Sequence, residues 1–166
     1  MCIRDSSWLS EVCREWEEAA GKFNELGART VVMRLPVLID KNSAFVKTVK
    51  PAARFGLAVS FGSKYMKFPW VHTRDVARFV KFAIENNTHG EFPLVAKEST
   101  QGELQKVMAR KWAGFHLSAT VPSYLTQLIF GAKSEILLSE HDVNTEDLSK
   151  TEFKFLLLDL NSALDE

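Results

Sequence analysis

Cysteine is nearly absent from this chain, and so is any excess of charge of one sign. Its two cysteines, Cys2 and Cys13, provide neither a disulfide framework nor the spacing of a metal site. The four histidines, His72, His89, His116 and His141, are far apart and have no second ligand at helical spacing, so no metal ion is expected. Twenty-one basic and twenty-one acidic residues cancel to a formal net charge of zero. Nucleic acid, whose phosphates need clustered Lys and Arg, is excluded as a partner on that ground. The densest basic run, Lys47 to Arg54, is broken by Val49, Pro51, Ala52 and Ala53 and reads as a solvated helix face. No apolar run approaches the roughly 18 residues of a membrane span, and no membrane partner is expected. The opening Met1–Ser6 is too short and too polar for a signal peptide; it reads as a non-native lead on a cytoplasmic protein. Glycine is sparse as well, and no glycine-rich turn able to cradle a dinucleotide phosphate opens the chain.

What is present is the composition of a globular protein, with 46% hydrophobic and 25% charged residues over 166 positions, enough for one ordinary core. Trp8, Leu9, Val12, Cys13, Trp16, Ala19, Ala20, Phe23 and Leu26 recur at steps of three and four, which predicts a helix over 7–26 with one broad buried face, ended by Gly27. Arg29–Ile39 is apolar and β-branched at nearly every position, the pattern of a strand covered on both faces. Pro36 cannot donate to a ladder, so pairing should fail near it. A helix is expected from Ala44 to Phe55, then irregular chain, then a short strand ending in Trp70-Val71-His72. Thr73 reads as N-cap of a helix to Asn86, with Asp75 in its first turn facing the helix dipole. Strands at 92–96 and 117–121, helices over 102–112, 122–130 (opened by Pro122), 133–139 and 145–151, an extended Phe153–Phe155 and a last helix from Asp159 complete the order.

Helix, strand, helix, strand in alternation is α/β grammar, with right-handed parallel units. Two strong strands do not make a sheet alone, so Arg29–Ile39 should show a bare edge. Arg34, a lone charge in an apolar strand, must find a carboxylate or carbonyls; Glu17 and Asp75 are the candidates.

The strand-to-helix turn Trp70-Val71-His72-Thr73-Arg74-Asp75 resembles the one that opens the substrate side of extended short-chain dehydrogenase/reductases. Along the whole chain from Trp8 the resemblance narrows to an atypical epimerase-like family with a C-terminal domain of unknown function. Glu11–Ala20 resembles that family's helix. Arg34-Leu-Pro-Val-Leu38 resembles its Arg-small-Gly-Val-Val strand, and Phe55-Gly56-Leu57 with Gly62-Ser63 resembles its glycine-rich loop. The fold so implied is part of a Rossmann-type parallel sheet, its N-terminal half missing, plus a small α+β substrate-side domain. Residues 7–55 would be the last helix and strand of the dinucleotide-binding domain with the helix that follows. Residues 56–166 would be the substrate-side domain, strand 92–96 returning to the sheet.

The same resemblance implies NADP or NAD as cofactor of the intact protein and a small polar or sugar-like substrate, with no cofactor expected on the fragment. It puts Arg34, Val37 and Leu38 beside the cofactor and Tyr65, Trp70 and His72 on the substrate side. The general acid/base Tyr and its Lys, four residues apart in ordinary members, fall here on Leu9 and Cys13, so no catalytic residue is assigned. Ala58, Val59 and Lys64 stand in glycine positions of the loop, Met66 replaces a Gln and Pro93 an Asn. The expectation is an inactive C-terminal fragment of an NAD(P)-dependent epimerase/dehydratase-like oxidoreductase that self-associates. The alternatives are a non-catalytic Rossmann-scaffold binding or regulatory protein and a complete small α/β adaptor.

Overall fold

Residues 8–131, 148 and 151–165 are described by the computed structural model. The chain opens with α1 (Trp8–Gly21), which tightens into a 3₁₀ turn (Lys22–Leu26). Gly27, at φ 77°, closes it by donating its N–H to the carbonyls of Phe23 and Asn24, the role expected of it. The apolar stripe of this helix is largely open to solvent: Trp16, Phe23 and Leu26 are exposed.

The apolar run after it divides at Leu35-Pro36 into β1 (Val31–Arg34) and β2 (Val37–Ile39), as the missing proline donor predicts. The two halves serve different sheets. β1 runs parallel to β5 (Gly90–Pro93), while β2 runs parallel to β4 (Lys67–His72), which also pairs antiparallel with β6 (Lys97–Thr100). Among the described residues β1 has one ladder partner and β2 is an edge strand.

Helix α2 (Ala44–Arg54) is capped by Ser43, whose hydroxyl accepts from the Val46 N–H. It is followed at once by β3 (Leu57–Phe61), where irregular chain was expected. The inward positions of β3 are Ala58 and Ser60, too small to give the alternating apolar signal of a half-buried strand. Its parallel partner is β7 (Leu117–Val121). β6 is the other unexpected strand, for its Lys-Glu-Ser-Thr sequence carries no apolar face.

Helix α3 (Thr73–Glu85) begins where expected, but its N-cap is His72 rather than Thr73: the His72 Nδ1 accepts from the Arg74 N–H at 3.1 Å. Helix α4 (Gln101–Ala113) starts with a capping box in which Thr100 and Glu103 each accept the other's main-chain N–H. Helix α5 (Ser123–Phe130) follows Pro122, and α6 (Leu160–Ala163) is capped by Asp159. Helices expected over 133–139 and 145–151 fall outside the described residues but for Leu148 and Thr151.

Two clusters form the core. Ile39, Val46, Trp70, Leu104, Met108 and Ala163 join α2, α4 and α6 to the β2–β4 sheet. Phe79, Ala83, Phe92, Leu94 and Leu148 join α3 to β1–β5. Phe153 seals the second cluster, meeting Phe79 edge-on at 5.2 Å and Phe155 at 5.3 Å. No helix of the described residues is long and apolar enough to cross a membrane.

Candidate functional site at the strand ends

The parallel strands β2 and β4 end side by side at Ile39 and His72. In α/β sheets the carboxyl ends of parallel strands face the ligand crevice, because the following helices start there and present free N–H groups. The residues just past these ends are polar and tied together. Asp40 Oδ1 accepts from the Asn42 N–H at 2.6 Å, and the Thr73 hydroxyl donates to Asp40 Oδ2. One carboxylate thus links the turn before α2 to the first residue of α3. The Thr73 bond holds the Asp40 carboxyl below its ordinary range, helped by the N–H groups of Asn42 and Ser43 and by nearby His72, against a burial that acts the other way.

His72 is almost fully buried. With Nδ1 accepting from Arg74, the neutral ring carries its proton on Nε2, and that nitrogen is buried without a hydrogen-bond partner among the described residues. A buried donor left unpaired costs about 1–3 kcal/mol, so such groups are rare unless a ligand or another chain segment supplies the acceptor.

Arg34 lies at the carboxyl end of β1. Its Nε and Nη2 donate to the two carboxylate oxygens of Glu17, both at 2.7 Å, and Nη2 is 2.5 Å from Glu91 Oε2. The guanidinium therefore ties α1 to β1 and β5, and it holds the Glu17 carboxyl below its ordinary value despite partial burial. Glu17 was one of the two expected partners. The other, Asp75, is fully buried but accepts from Arg78 and from the N–H groups of Leu156 and Leu157.

The remaining predicted positions are dispersed. Val37 and Leu38 lie half-buried on the edge strand β2. Trp70 is wholly inside the core, its indole N–H donating to Ser99 Oγ at 3.2 Å. Tyr65 is exposed on the loop between β3 and β4, with the Lys64 ammonium 5.0 Å above its ring. That loop is held by the start of α4: the N–H groups of Gln101 and Gly102 donate to Met66 and Lys64 carbonyls, both at 2.9 Å. Leu9 and Cys13 stand one turn apart on α1, and Cys13 is a free thiol. Asp40 was missed, and Thr73 was read only as a helix cap. The signal available was a polar Asp-Lys-Asn-Ser turn directly after an apolar strand.

No family model matches the chain. It is 28% identical over 165 residues to an epimerase family protein of Staphylococcus haemolyticus, covering 96% of this chain and 54% of that protein. Against an epimerase family protein of Staphylococcus aureus it is 27% identical over 161 residues, covering 96% of this chain and 53% of the relative. The chain thus spans about half the length of these relatives. Among solved structures it is similar to human epimerase family protein SDR39U1 (isoform 2) with NADPH. The TM-score is 0.73 at 27% identity, over 82% of this chain and 47% of the human one.

Proposed function

We propose that this chain, a partial-length homologue in the extended short-chain dehydrogenase/reductase, epimerase-like family, is the substrate-side half of an NAD(P)-dependent oxidoreductase. Residues 7–55 complete the dinucleotide-binding sheet and residues 56–166 form the substrate-side domain. The intact protein would transfer hydride between NADP(H) or NAD(H) and a small polar or sugar-like substrate. The fragment alone would be inactive.

The observation that carries this reading is the His72 Nε2–H, buried without an acceptor beside Asp40 and Thr73 at the ends of β2 and β4. It is suited to a ligand oxygen, and the neighbouring cap residues hold the ring in place. The NADPH of the human structure supports the choice of NADP. Among the described residues β2 is an edge strand, and its open side would leave main-chain groups beside Val37 and Leu38 for the cofactor. Arg34, with two carboxylates on its guanidinium, is better suited to fixing the strand than to meeting a phosphate.

The test is calorimetric titration of NADPH and NADH into the 166-residue chain. Most dinucleotide affinity resides in the pyrophosphate at a glycine-rich helix N-terminus, which these residues do not supply, so no micromolar binding is expected. Micromolar binding would overturn the reading. Reading the DNA upstream of Met1 is an independent check: a continuous frame with a strand and Gly-x-x-Gly-x-x-Gly is expected, and a stop codon there would favour a small adaptor instead.

A second reading rests on Leu9 and Cys13. Neither can act as the general acid/base or hold the ribose as Tyr and Lys do. A Rossmann scaffold that binds cofactor and partner without turnover would need neither, and it would bind NADPH at full length while leaving it unoxidised.

A further inference from the structure

We infer that the carboxyl-terminal end of α2 carries a second binding site, for a small organic anion with an aromatic or acyl body. Lys47, Lys50, Pro51 and Arg54 share one face of the helix, at steps of three and four. With Phe55 they line a groove of about 530 Å³, within the range of small-molecule sites. Its lining runs from about 6 Å (Lys47) to about 16 Å (Arg54) along the helix axis from the Ser43 cap.

Its electrostatics are one-sided. The side chains of Lys47 and Arg54 form no hydrogen bond or ion pair with any described residue. The Lys50 ammonium lies 5.3 Å above the Trp112 ring, which directs it instead of leaving it to sweep through water. Three cations that pair with no carboxylate among the described residues are complementary to a carboxylate, phosphate or sulfate.

The apolar half is equally unmatched. Phe55 is 77% exposed although Ala53, two residues before it, is fully buried. Next to it, Gly56 has φ +75°, and the space a Cβ would need is filled by the Phe115 ring, 2.4 Å from that position. Phe115 is itself exposed, as are Leu57 and Leu117, register partners in β3 and β7. An apolar shelf of this kind beside a cationic row marks a contact surface. The concavity suits a small molecule that enters the groove better than a flat bilayer.

The experiment titrates the chain with 1-naphthyl phosphate, 1-naphthol and inorganic phosphate while recording amide shifts by NMR. Saturable binding of 1-naphthyl phosphate is expected, at least tenfold tighter than either half-ligand, with shifts confined to residues 47–57 and 115–117. The double variant Lys47→Glu/Arg54→Glu should lose at least tenfold in affinity. Lys47→Ala/Arg54→Ala, which alters only exposed side chains, should lose a smaller factor. Equal binding of inorganic phosphate or 1-naphthol, unchanged affinity in both double variants, or shifts centred elsewhere would overturn the site. So would binding of an acidic aromatic peptide where 1-naphthyl phosphate fails. None of these outcomes depends on the cofactor reading, because the NADPH titration is scored at a different place.

Discussion

Asp75 accepts the main-chain N–H of Leu157 at 3.0 Å across 82 positions of sequence. The same carboxylate takes the Leu156 N–H, at 3.0 and 3.1 Å to its two oxygens, and the Arg78 guanidinium at 2.6 Å. It therefore pins the segment that carries Phe153 and Phe155 against α3, in addition to sitting in that helix's first turn. Arg78 reinforces the clamp by donating to the Lys154 carbonyl.

Asp75→Ala would leave the Leu156 and Leu157 N–H groups without their acceptor, Leu157 being buried, and would remove the carboxylate partner of the half-exposed Arg78. The expected loss is about 2–4 kcal/mol, more than the roughly 1 kcal/mol of a lost cap alone. Urea unfolding measures it. A loss confined to the capping range would mean that water readily replaces Asp75 at Leu156 and Leu157.

The Glu17–Arg34 pair gives a pH dependence of definite sign. Arg34, through its hydrogen bonds and then its charge, lowers the Glu17 pKa in the folded protein. Its contribution to stability is therefore complete above the ordinary carboxylate range and is lost as pH falls through the depressed folded value. Thermal midpoints taken from pH 7 to pH 3 should drop more steeply in the parent chain than in Glu17→Gln. Identical slopes would show that the pair survives protonation or adds nothing.

Gly56 and Gly114 separate backbone strain from packing. Both have positive φ, +75° and +79°, but a Cβ at Gly114 meets nothing within 4 Å while one at Gly56 strikes the Phe115 ring. Gly114→Ala should cost about 1 kcal/mol, the left-handed penalty alone. Gly56→Ala adds displacement of an aromatic ring and should cost about 2–4 kcal/mol. Introducing Phe115→Ala should bring the second value down toward the first. A pair of equal costs in the Phe115 background and without it would mean that the ring swings aside freely.

How much of this was legible depended on whether the cause was local. The break at Pro36, the turn at Gly27 and the start of α3 follow from one residue and its neighbours, and the structure has all three. The Arg34 partner was legible too, since a charge in an apolar strand needs one and Glu17 stands on the preceding helix. β3 and β6 were not, because their pairing is set by distant strands and their own residues are small or polar. The strand-end cluster was half visible: His72 stood out, but its cap role and the Asp40–Thr73 link arise only when β2 and β4 align. The Asp75 clamp lay beyond any local pattern.

The last prediction concerns what α1 and β1 leave uncovered. Trp16, Phe23 and Leu26 are 71%, 59% and 81% exposed along one helix and its 3₁₀ extension. β1, apolar at Val31, Val32 and Met33, has a single ladder partner among the described residues. Apolar area beside an open strand edge drives association, because a second chain can satisfy both the area and the main-chain groups. The isolated chain should therefore self-associate through residues 16–34, with light scattering showing species larger than a monomer at micromolar concentration. Trp16→Glu combined with Leu26→Lys should shift the population toward monomer and make the unfolding midpoint independent of protein concentration, as association no longer stabilises the folded chain. Hydrogen exchange of that monomeric variant should find β1 amides exchanging faster than those of α3, which is capped at both ends and buries its own Phe79 and Ala83 against Phe92 and Leu94. A monodisperse parent chain with equal protection of β1 and α3 would mean that the open edge and the exposed tryptophan are already accommodated within a single copy.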